Sequence, residues 1–262
     1  MPRRRRILDG SATSAGIYDY LLGGNSWRLA DQHAAGALVR AKPRIGPNIR
    51  ANRRAMRRMV QFAAARGITQ FLDIGSGLPS MDNTQEIAQA ANPAARVVSV
   101  DNDPRVAAHA RALVTGTPQG RADYVTADLA SPAEILERAA RTLDMTRPLA
   151  IILFAVLQFI PDDDEAYQIV KTLTGALPPG GMLALSHPAS DLLPAESAAG
   201  ASVYEQATGL VQANRALAQV TRFFDGLALI SPGVVRLNLW RPDALEDPAE
   251  LISSYTGAGI RR

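Results

Sequence analysis

The sequence has no cysteine, which excludes disulfides, thiolate metal sites and cysteine nucleophiles together. Its three histidines, His33, His109 and His187, are scattered and lack the spacing of a metal-ligand set. No apolar run approaches the length needed to span a bilayer, and Arg3 to Arg6 are not followed by the apolar stretch of a secretory signal. Acidic residues are missing between Asp31 and Asp73, so the stretch from Arg40 to Arg66 is basic throughout. Aromatic residues are only 5% of the chain, and no nucleic-acid motif accompanies the basic block. The expectation is a soluble cytoplasmic protein with no membrane, metal or nucleic-acid partner. The sequence is silent on oligomeric state.

What is present is enough for a substantial core. The chain has 262 residues, 47% of them apolar, which suits one large α/β domain or a core with a helical addition. The formal charge is +3, and Arg3-Arg4-Arg5-Arg6 alone outweighs it, so the remainder is acidic overall. The basic residues read as a solvated tail and one exposed helix face.

Residues 1–11 are expected to be a disordered basic tail. Tyr18-Asp19-Tyr20-Leu21-Leu22-Gly23-Gly24-Asn25 suggests a short helix ending on a glycine. Further helices are expected over 29–40 and 48–65. In the latter, Ile49, Met56, Met59, Val60 and Ala63 recur at helical spacing, while Arg50, Arg53, Arg54, Arg57 and Arg58 take other positions. Residues 12–66 thus form a helical cap in front of a sheet.

From residue 67 the pattern alternates. Strands are expected over 69–74, 96–101, 122–127, 149–155 and 182–186. Helices are expected over 81–91 and 104–114, after Ser131-Pro132, and over 163–176. Such alternation implies right-handed crossovers and a parallel, doubly wound sheet. Residues 227–230 and 234–239 are joined only by Ser231-Pro232-Gly233, too short for a crossover, which predicts an antiparallel pair at the sheet edge. The α/β domain therefore runs over 67–242, with 243–262 a C-terminal extension. The stretch 188–204, rich in alanine and serine, reads as a mobile loop over the substrate. Asp162-Asp163-Asp164-Glu165 reads as a helix N-terminus, where acidic residues are favoured.

The chemistry gathers at Phe71-Leu72-Asp73-Ile74-Gly75-Ser76-Gly77-Leu78-Pro79, an apolar strand running into a carboxylate and two glycines. A strand, a glycine turn and a helix form the usual nucleotide site of an α/β sheet. A nicotinamide dinucleotide and S-adenosylmethionine compete for it. Asp101, about twenty residues on at the end of the second strand, suits the ribose of either. Ser80 stands where a dinucleotide site wants a third glycine. Asp73 beside the turn repels a pyrophosphate but suits an ammonium group. With the antiparallel pair near the end, these features favour the sulfonium cofactor.

Asp73-Ile74-Gly75-Ser76-Gly77 resembles the first motif of class I S-adenosylmethionine-dependent methyltransferases. Asp101 and Asp128-Leu129 resemble their ribose and adenine positions, 156–162 the segment after their fourth strand, and 177–181 their turn before the fifth. More narrowly, Tyr18-Asp19-Tyr20-Leu21-Leu22-Gly23-Gly24, the stretch 70–79, the stretch 100–104 and Phe223-Phe224-Asp225-Gly226 resemble, in order, the actinobacterial S-adenosyl methyltransferase (DUF574) family. One departure is Gln158, where that family usually has histidine. The resemblance implies the Rossmann-like seven-stranded methyltransferase fold, mostly parallel with one antiparallel strand near the edge. It also implies site roles. Gly75, Ser76 and Gly77 would present backbone to the methionine part, with Asp73 near its ammonium. Asp101 would take the ribose hydroxyls and Asn102 would flank the adenine. Asp128 would accept from the adenine amino group, with Leu129 against the ring. Ala155, Val156 and Leu157 would floor the sulfonium.

Methyl transfer from a sulfonium is an in-line displacement, so the protein chiefly orients the partners and excludes water. A base is needed only for a protonated nucleophile. The candidates are His187, expected at the carboxyl edge of the sheet, Tyr18 in the cap, and Gln158. Tyr20, on another face of the same helix as Tyr18, is the candidate to cover the cofactor. The expected activity is methyl transfer from S-adenosylmethionine to a small-molecule acceptor, possible in secondary metabolism. Its alternatives are a regulatory protein that binds the cofactor or its demethylated product without turnover, and an NAD-dependent oxidoreductase.

Overall fold

A computed structural model of the chain describes residues 10–79, 82–113 and 116–262. Ser80 and Met81, and most of the basic tail, lie outside the described residues.

The central strands are largely apolar because both faces of the sheet are covered. β1 (Gln70–Ile74) and β4 (Ala150–Phe154) are buried along their whole length. With β2 (Arg96–Asp101), β3 (Arg121–Thr126) and β5 (Met182–Pro188) they form a parallel sheet. Side chains alternate faces with the strand period of two. Leu72, Ile74, Val98, Ile151 and Leu153 pack with α6 (Pro132–Ala139), α7 (Asp163–Gly175) and α9 (Leu217–Arg222) through Ile135, Ile169, Leu173 and Val220. Phe71, Val97, Ala150 and Ile152 pack with α3 (Ile45–Ala65) and α4 (Thr84–Ala91) through Met56, Met59, Val60 and Ile87. Asn83 caps α4 by accepting from the Glu86 N–H at 2.9 Å. α5 (Pro104–Leu113) follows β2.

Eight strands are found among the described residues, in the order β3-β2-β1-β4-β5-β8-β6, with β7 also on β8. β6 (Ala228–Leu229) and β7 (Val235–Arg236) do not pair with each other, contrary to the expected antiparallel hairpin. Both pair antiparallel with β8 (Ser254–Ile260), which lies in the stretch set apart as a C-terminal extension. β8 in turn runs antiparallel to β5. The six steps from Leu229 to Val235 match only three steps of β8, from Gly259 to Thr256. The edge strand is therefore one strand position broken by a bulge at Ser231-Pro232-Gly233, where proline offers no N–H to the ladder. Eight strands thus fill seven sheet positions, and the single reversed strand sits one place in from the edge.

The C-terminal stretch is anchored by charge as well as by pairing. Glu246 accepts two bonds of 2.9 Å from Arg54 and a further one from Arg58, whose guanidinium also donates to the carbonyls of Trp240 at 3.0 Å and Leu237 at 2.7 Å. Two arginines of the supposed solvated face are therefore structural ties between α3 and the chain end. Arg50 and Arg57 are exposed.

The cap is α1 (Ser14–Leu22), α2 (Leu29–Ala41) and the first part of α3, joined by α8 (Pro194–Thr208). The stretch 188–204 is thus largely a helix and the end of β5, not a mobile loop. Ile17, Leu38, Ala34, Ala35 and Tyr204 make its small core. Gly23, with φ of +81°, ends α1 in the left-handed conformation glycine adopts without strain. Asp31, fully buried, ties the cap together: it accepts from the backbone N–H groups of Thr13 and Arg28, each at 2.8 Å, and from Arg105 of α5 at 3.3 Å. That last bond fastens the cap over the carboxyl ends of the strands.

Candidate active site

The carboxyl ends of β1, β2 and β4 meet around the glycine turn. Gly75 has φ of +80°, and a Cβ there would come within 2.5 Å of Val156 Cγ2, so only glycine fits. Gly77 has φ of +68° and open space where a Cβ would stand. The N–H groups of Gly75 and Ser76 both donate to the Val100 carbonyl, at 2.8 and 3.1 Å, which locks the turn onto β2. The Gly77 N–H donates to Asp101 Oδ2 at 2.9 Å, and the Asp103 N–H to Oδ1 at 3.0 Å. Burial nevertheless raises the Asp101 pKa, against the pull of these N–H groups. Each Asp101 oxygen keeps a second lone pair for a hydroxyl donor.

Asp73 is buried beside this turn, and burial lifts its pKa from 3.8 to about 6; bonding from Thr84 and the charge of Arg53 pull the other way, and Asp101 adds to the rise. A carboxylate that costly to ionise alone is suited to meet a cation. Asn102 donates to Asp128 at 3.3 Å, Asp128 also accepts from the Ala130 N–H at 2.9 Å, and Leu129 is buried next to them. The expected ribose and adenine residues are thus brought to one edge.

β4 runs into Ala155, a non-glycine residue at φ of +50°. Such a conformation costs on the order of 1–2 kcal/mol and persists only where its surroundings hold it. The Ala155 N–H donates to Ser186 Oγ at 3.0 Å, Ser186 donates to Asn52 Oδ1 at 2.6 Å, and Asn52 Nδ2 donates to Tyr18 Oη at 2.9 Å. This chain of bonds links the floor, β5, α3 and α1, and leaves the Tyr18 hydroxyl hydrogen facing away from it. Gln158 donates to the Ala155 carbonyl at 2.8 Å. Ala155, Ser186, Asn52, Tyr18 and Gln158 all line a cavity of about 790 Å³, part of it open to solvent, between the cap and the ends of β4 and β5.

Three expected site residues play other parts. His187 is fully buried and its ring is committed on both sides: Nδ1 bonds the Pro188 carbonyl at 3.0 Å and Nε2 accepts from Arg215 at 2.9 Å. Burial, opposed by the Pro188 bond and reinforced by Arg215, drives its pKa to about 3. With its lone pair occupied, His187 has nothing to offer as a base, although it lines the cavity. Tyr20 packs edge-to-face on Trp27, 5.0 Å between ring centres, within the cap. Leu157 is fully buried in the core beneath the sheet, and its carbonyl accepts from Arg215 at 3.3 Å. His33 is exposed on α2 and His109 half-buried on α5.

A profile of the S-adenosyl methyltransferase family matches residues 2–262. The chain belongs to that family. A DUF574 family protein of Streptomyces avermitilis MA-4680 has the same structure as this methyltransferase, with a TM-score of 0.93 and 40% identity over 98% of this chain and 100% of that one. A protein of Thermobifida fusca YX described as a "putative methyltransferase" gives 0.88 and 36% over 96% of each chain. An O-methyltransferase family protein of Burkholderia thailandensis, at 16% identity and a TM-score of 0.55 over 79% of this chain and 55% of that one, shares the fold alone. No curated protein matches the chain. The methyltransferase uses S-adenosylmethionine, and the turn, the carboxylates and the open face at Gly77 fit that cofactor.

Sequence reasoning missed Asn52, Ser186 and Arg215. Asn52 was hidden among arginines on α3, where the helical count gives its face but not its partner. Arg215 lies outside any motif. It is 1% exposed, yet it bonds Asp163 at 2.9 Å, the Ile160 carbonyl at 2.8 Å and His187.

Proposed function

We propose that this methyltransferase transfers the methyl group to a small molecule held in the cavity beneath the cap. The observation that carries this is the segment that leaves β4, where Val156 lies against the glycine turn and the adjacent Ala155 lines the cavity. A methyl group presented at that floor faces the cavity directly.

The cofactor, when bound, supplies a methyl group on a cationic sulfur whose departure needs no proton. The chain's own residues do the rest. Asp73 holds the ammonium, Gly75, Ser76 and Gly77 present backbone, Asp101 takes the ribose hydroxyls, and Asn102, Asp128 and Leu129 hold the adenine. Ala155 and Val156 form the floor. Tyr18 is positioned through Asn52 and Ser186 to donate its hydroxyl hydrogen to the acceptor, and Gln158 offers an amide oxygen. The cap excludes water, which strengthens each of these contacts. We also place the protein in the cytoplasm of an actinobacterium. Support comes from the Streptomyces and Thermobifida relatives, and no helix among the described residues is long and apolar enough to cross a membrane.

Calorimetric titration with S-adenosylhomocysteine tests the cofactor roles: Asp101→Ala should weaken binding by about tenfold to a hundredfold, the worth of hydrogen bonds to a charged group. Unchanged affinity would refute the ribose assignment. Transfer of labelled methyl from S-adenosylmethionine into a metabolite extract, lost in Asn52→Leu, tests the cavity. Tight cofactor binding with no transfer to any extract would instead favour a regulatory binder.

A further inference from the structure

The cavity wall contains one lysine. Lys42 follows the last turn of α2, is 5% exposed and lines the cavity. Among the described residues its ammonium has no hydrogen-bond or ion-pair partner. Glu196 of α8 acts on it from beyond ion-pair distance; that carboxylate bonds Arg44 through Oε1, and its buried Oε2 has no hydrogen-bond partner. Burial lowers the Lys42 pKa, and Glu196 offsets only part of this. The stem has room because α8 carries glycine opposite it. A Cβ at Gly200 would stand 3.2 Å from Lys42 Cδ and 3.4 Å from its Cβ. A buried ammonium whose burial is only partly offset by a carboxylate shared with Arg44 is unfavourable, and an anion entering the cavity within bonding distance of it lowers that cost.

Two amide oxygens of cavity-lining residues also lack hydrogen-bond partners, Gln158 Oε1 and Asn214 Oδ1, and the Tyr204 hydroxyl is a third such atom. The two amide orientations are fixed, because the nitrogens donate to the carbonyls of Ala155 at 2.8 Å and Ser197 at 3.1 Å, and reversing either would set oxygen against oxygen. Both amide oxygens therefore accept hydrogen bonds. Between these polar points the wall is apolar, with Ile17, Leu38 and the stacked rings of Phe159 and Tyr204, 5.8 Å apart. A single ammonium is matched to a single negative charge; a phosphate dianion calls for more donors.

We propose that the cavity binds a small organic acid, its carboxylate on Lys42 and its apolar body against Phe159, with a hydroxyl or amino group, the methyl acceptor, donating to Gln158 beside Ala155. This rests on the reading of the cavity as the acceptor site. It names the acceptor by class: an apolar body with a carboxylate at one end and a hydroxyl or amino group at the other. On transfer the carbon–sulfur bond breaks as the bond from methyl to the heteroatom forms, S-adenosylhomocysteine leaves, and the heteroatom's proton passes to solvent at the open side of the cavity.

The test uses matched fragments, each a carboxylate and its neutral primary amide: benzoate, 4-hydroxybenzoate, phenylacetate and hexanoate with their amides. Binding to the full chain is measured by calorimetry and ligand-observed NMR with saturating S-adenosylhomocysteine present. Binding of that compound is the fold and cofactor control for wild type and for Lys42→Met, which keeps the apolar stem. The acids should bind at least about tenfold more tightly than their amides, and Lys42→Met should erase the difference while leaving S-adenosylhomocysteine affinity unchanged. Acids and amides binding alike, or a preference that survives in Lys42→Met, overturns the proposal while the cavity remains the acceptor site. No binding of any fragment, with S-adenosylhomocysteine bound, overturns both. If Lys42→Met does not fold, the wild-type ratio of acid to amide decides alone.

Discussion

Asp73 ends up buried at the end of β1 because the strand must lie in the middle of the sheet to bring its turn to the cofactor. Burial raises its pKa from 3.8 to about 6. At about 1.4 kcal/mol per unit, holding Asp73 ionised costs the cofactor-free protein about 3 kcal/mol at neutral pH. Asp73→Asn keeps the shape and an oxygen for the Thr84 hydroxyl, but removes the charge. The cofactor-free variant should therefore melt higher than wild type, by up to about 6–12 °C at about 2–4 °C per kcal/mol for a chain of this size. It should also bind S-adenosylhomocysteine more weakly, by about tenfold to a hundredfold, because the cofactor ammonium loses its carboxylate.

The pH dependence separates this reasoning from a general packing effect. Asp73 holds its proton more tightly in the folded chain than in the unfolded one. Its contribution to stability is therefore fully present below pH 3.8 and is lost as pH rises through about 6. The stability gap between Asp73→Asn and wild type should grow from pH 4 to pH 6 and then stay level. Wild-type affinity for S-adenosylhomocysteine should fall by about tenfold per unit below pH 6, and that slope should be absent in the variant. Thermal melts and calorimetry over pH 4.5–8 read both. A variant that melts lower than wild type at pH 8, or one that binds as well as wild type, refutes the assignment.

Three further substitutions have calculable outcomes. Gly75→Ala meets both the left-handed φ and the 2.5 Å approach to Val156 Cγ2; calorimetry should show S-adenosylhomocysteine binding weakened by more than about a hundredfold, with a cost of at least about 1–2 kcal/mol in stability. Arg215→Met leaves His187 and two carbonyls without their donor, while Asp163 keeps its bond from Gln219 and its exposure to solvent, so urea unfolding should lose about 2–4 kcal/mol. Glu246→Ala leaves Arg54 and Arg58 unpaired beneath the chain end, and should lose a similar amount by urea unfolding, about 3–5 kcal/mol, with cofactor affinity unchanged.

The parallel half of the sheet was legible because its strands carry no glycine and its central ones, β1, β4 and β5, are buried on both faces. The glycine turn was legible for the opposite reason, since glycine there answers a backbone demand visible in the sequence. β8 was not legible. Gly257 and Gly259 break its pattern, as glycine weakens a strand. Their reason lies elsewhere in the chain, where Phe224 presses so close that a Cβ on either glycine would stand 3.1 Å from its ring. Phe223-Phe224-Asp225-Gly226 was noticed as a family stretch, but its partner was two strands away in sequence. The hairpin was misread because a short link between two apolar stretches also describes one edge strand with a bulge.

The same limit explains the active site. The cofactor residues announce themselves because each lies at the end of its own strand, where the chain must turn, and the order of strands fixes which ends meet. The acceptor side is assembled from α1, α3, α8 and β5, and no local pattern says that Tyr18, Asn52 and Ser186 belong together. Their bonds to one another supply the link. The run from Ala155 through Ser186 and Asn52 to Tyr18 makes the strained floor and the cap a single hydrogen-bonded unit. Ala155 holds its φ of +50° at the start of that run. In the function proposed above, a cap displaced from the sheet would loosen the floor as well, which couples the proposed acceptor cavity to the seat beneath the methyl group.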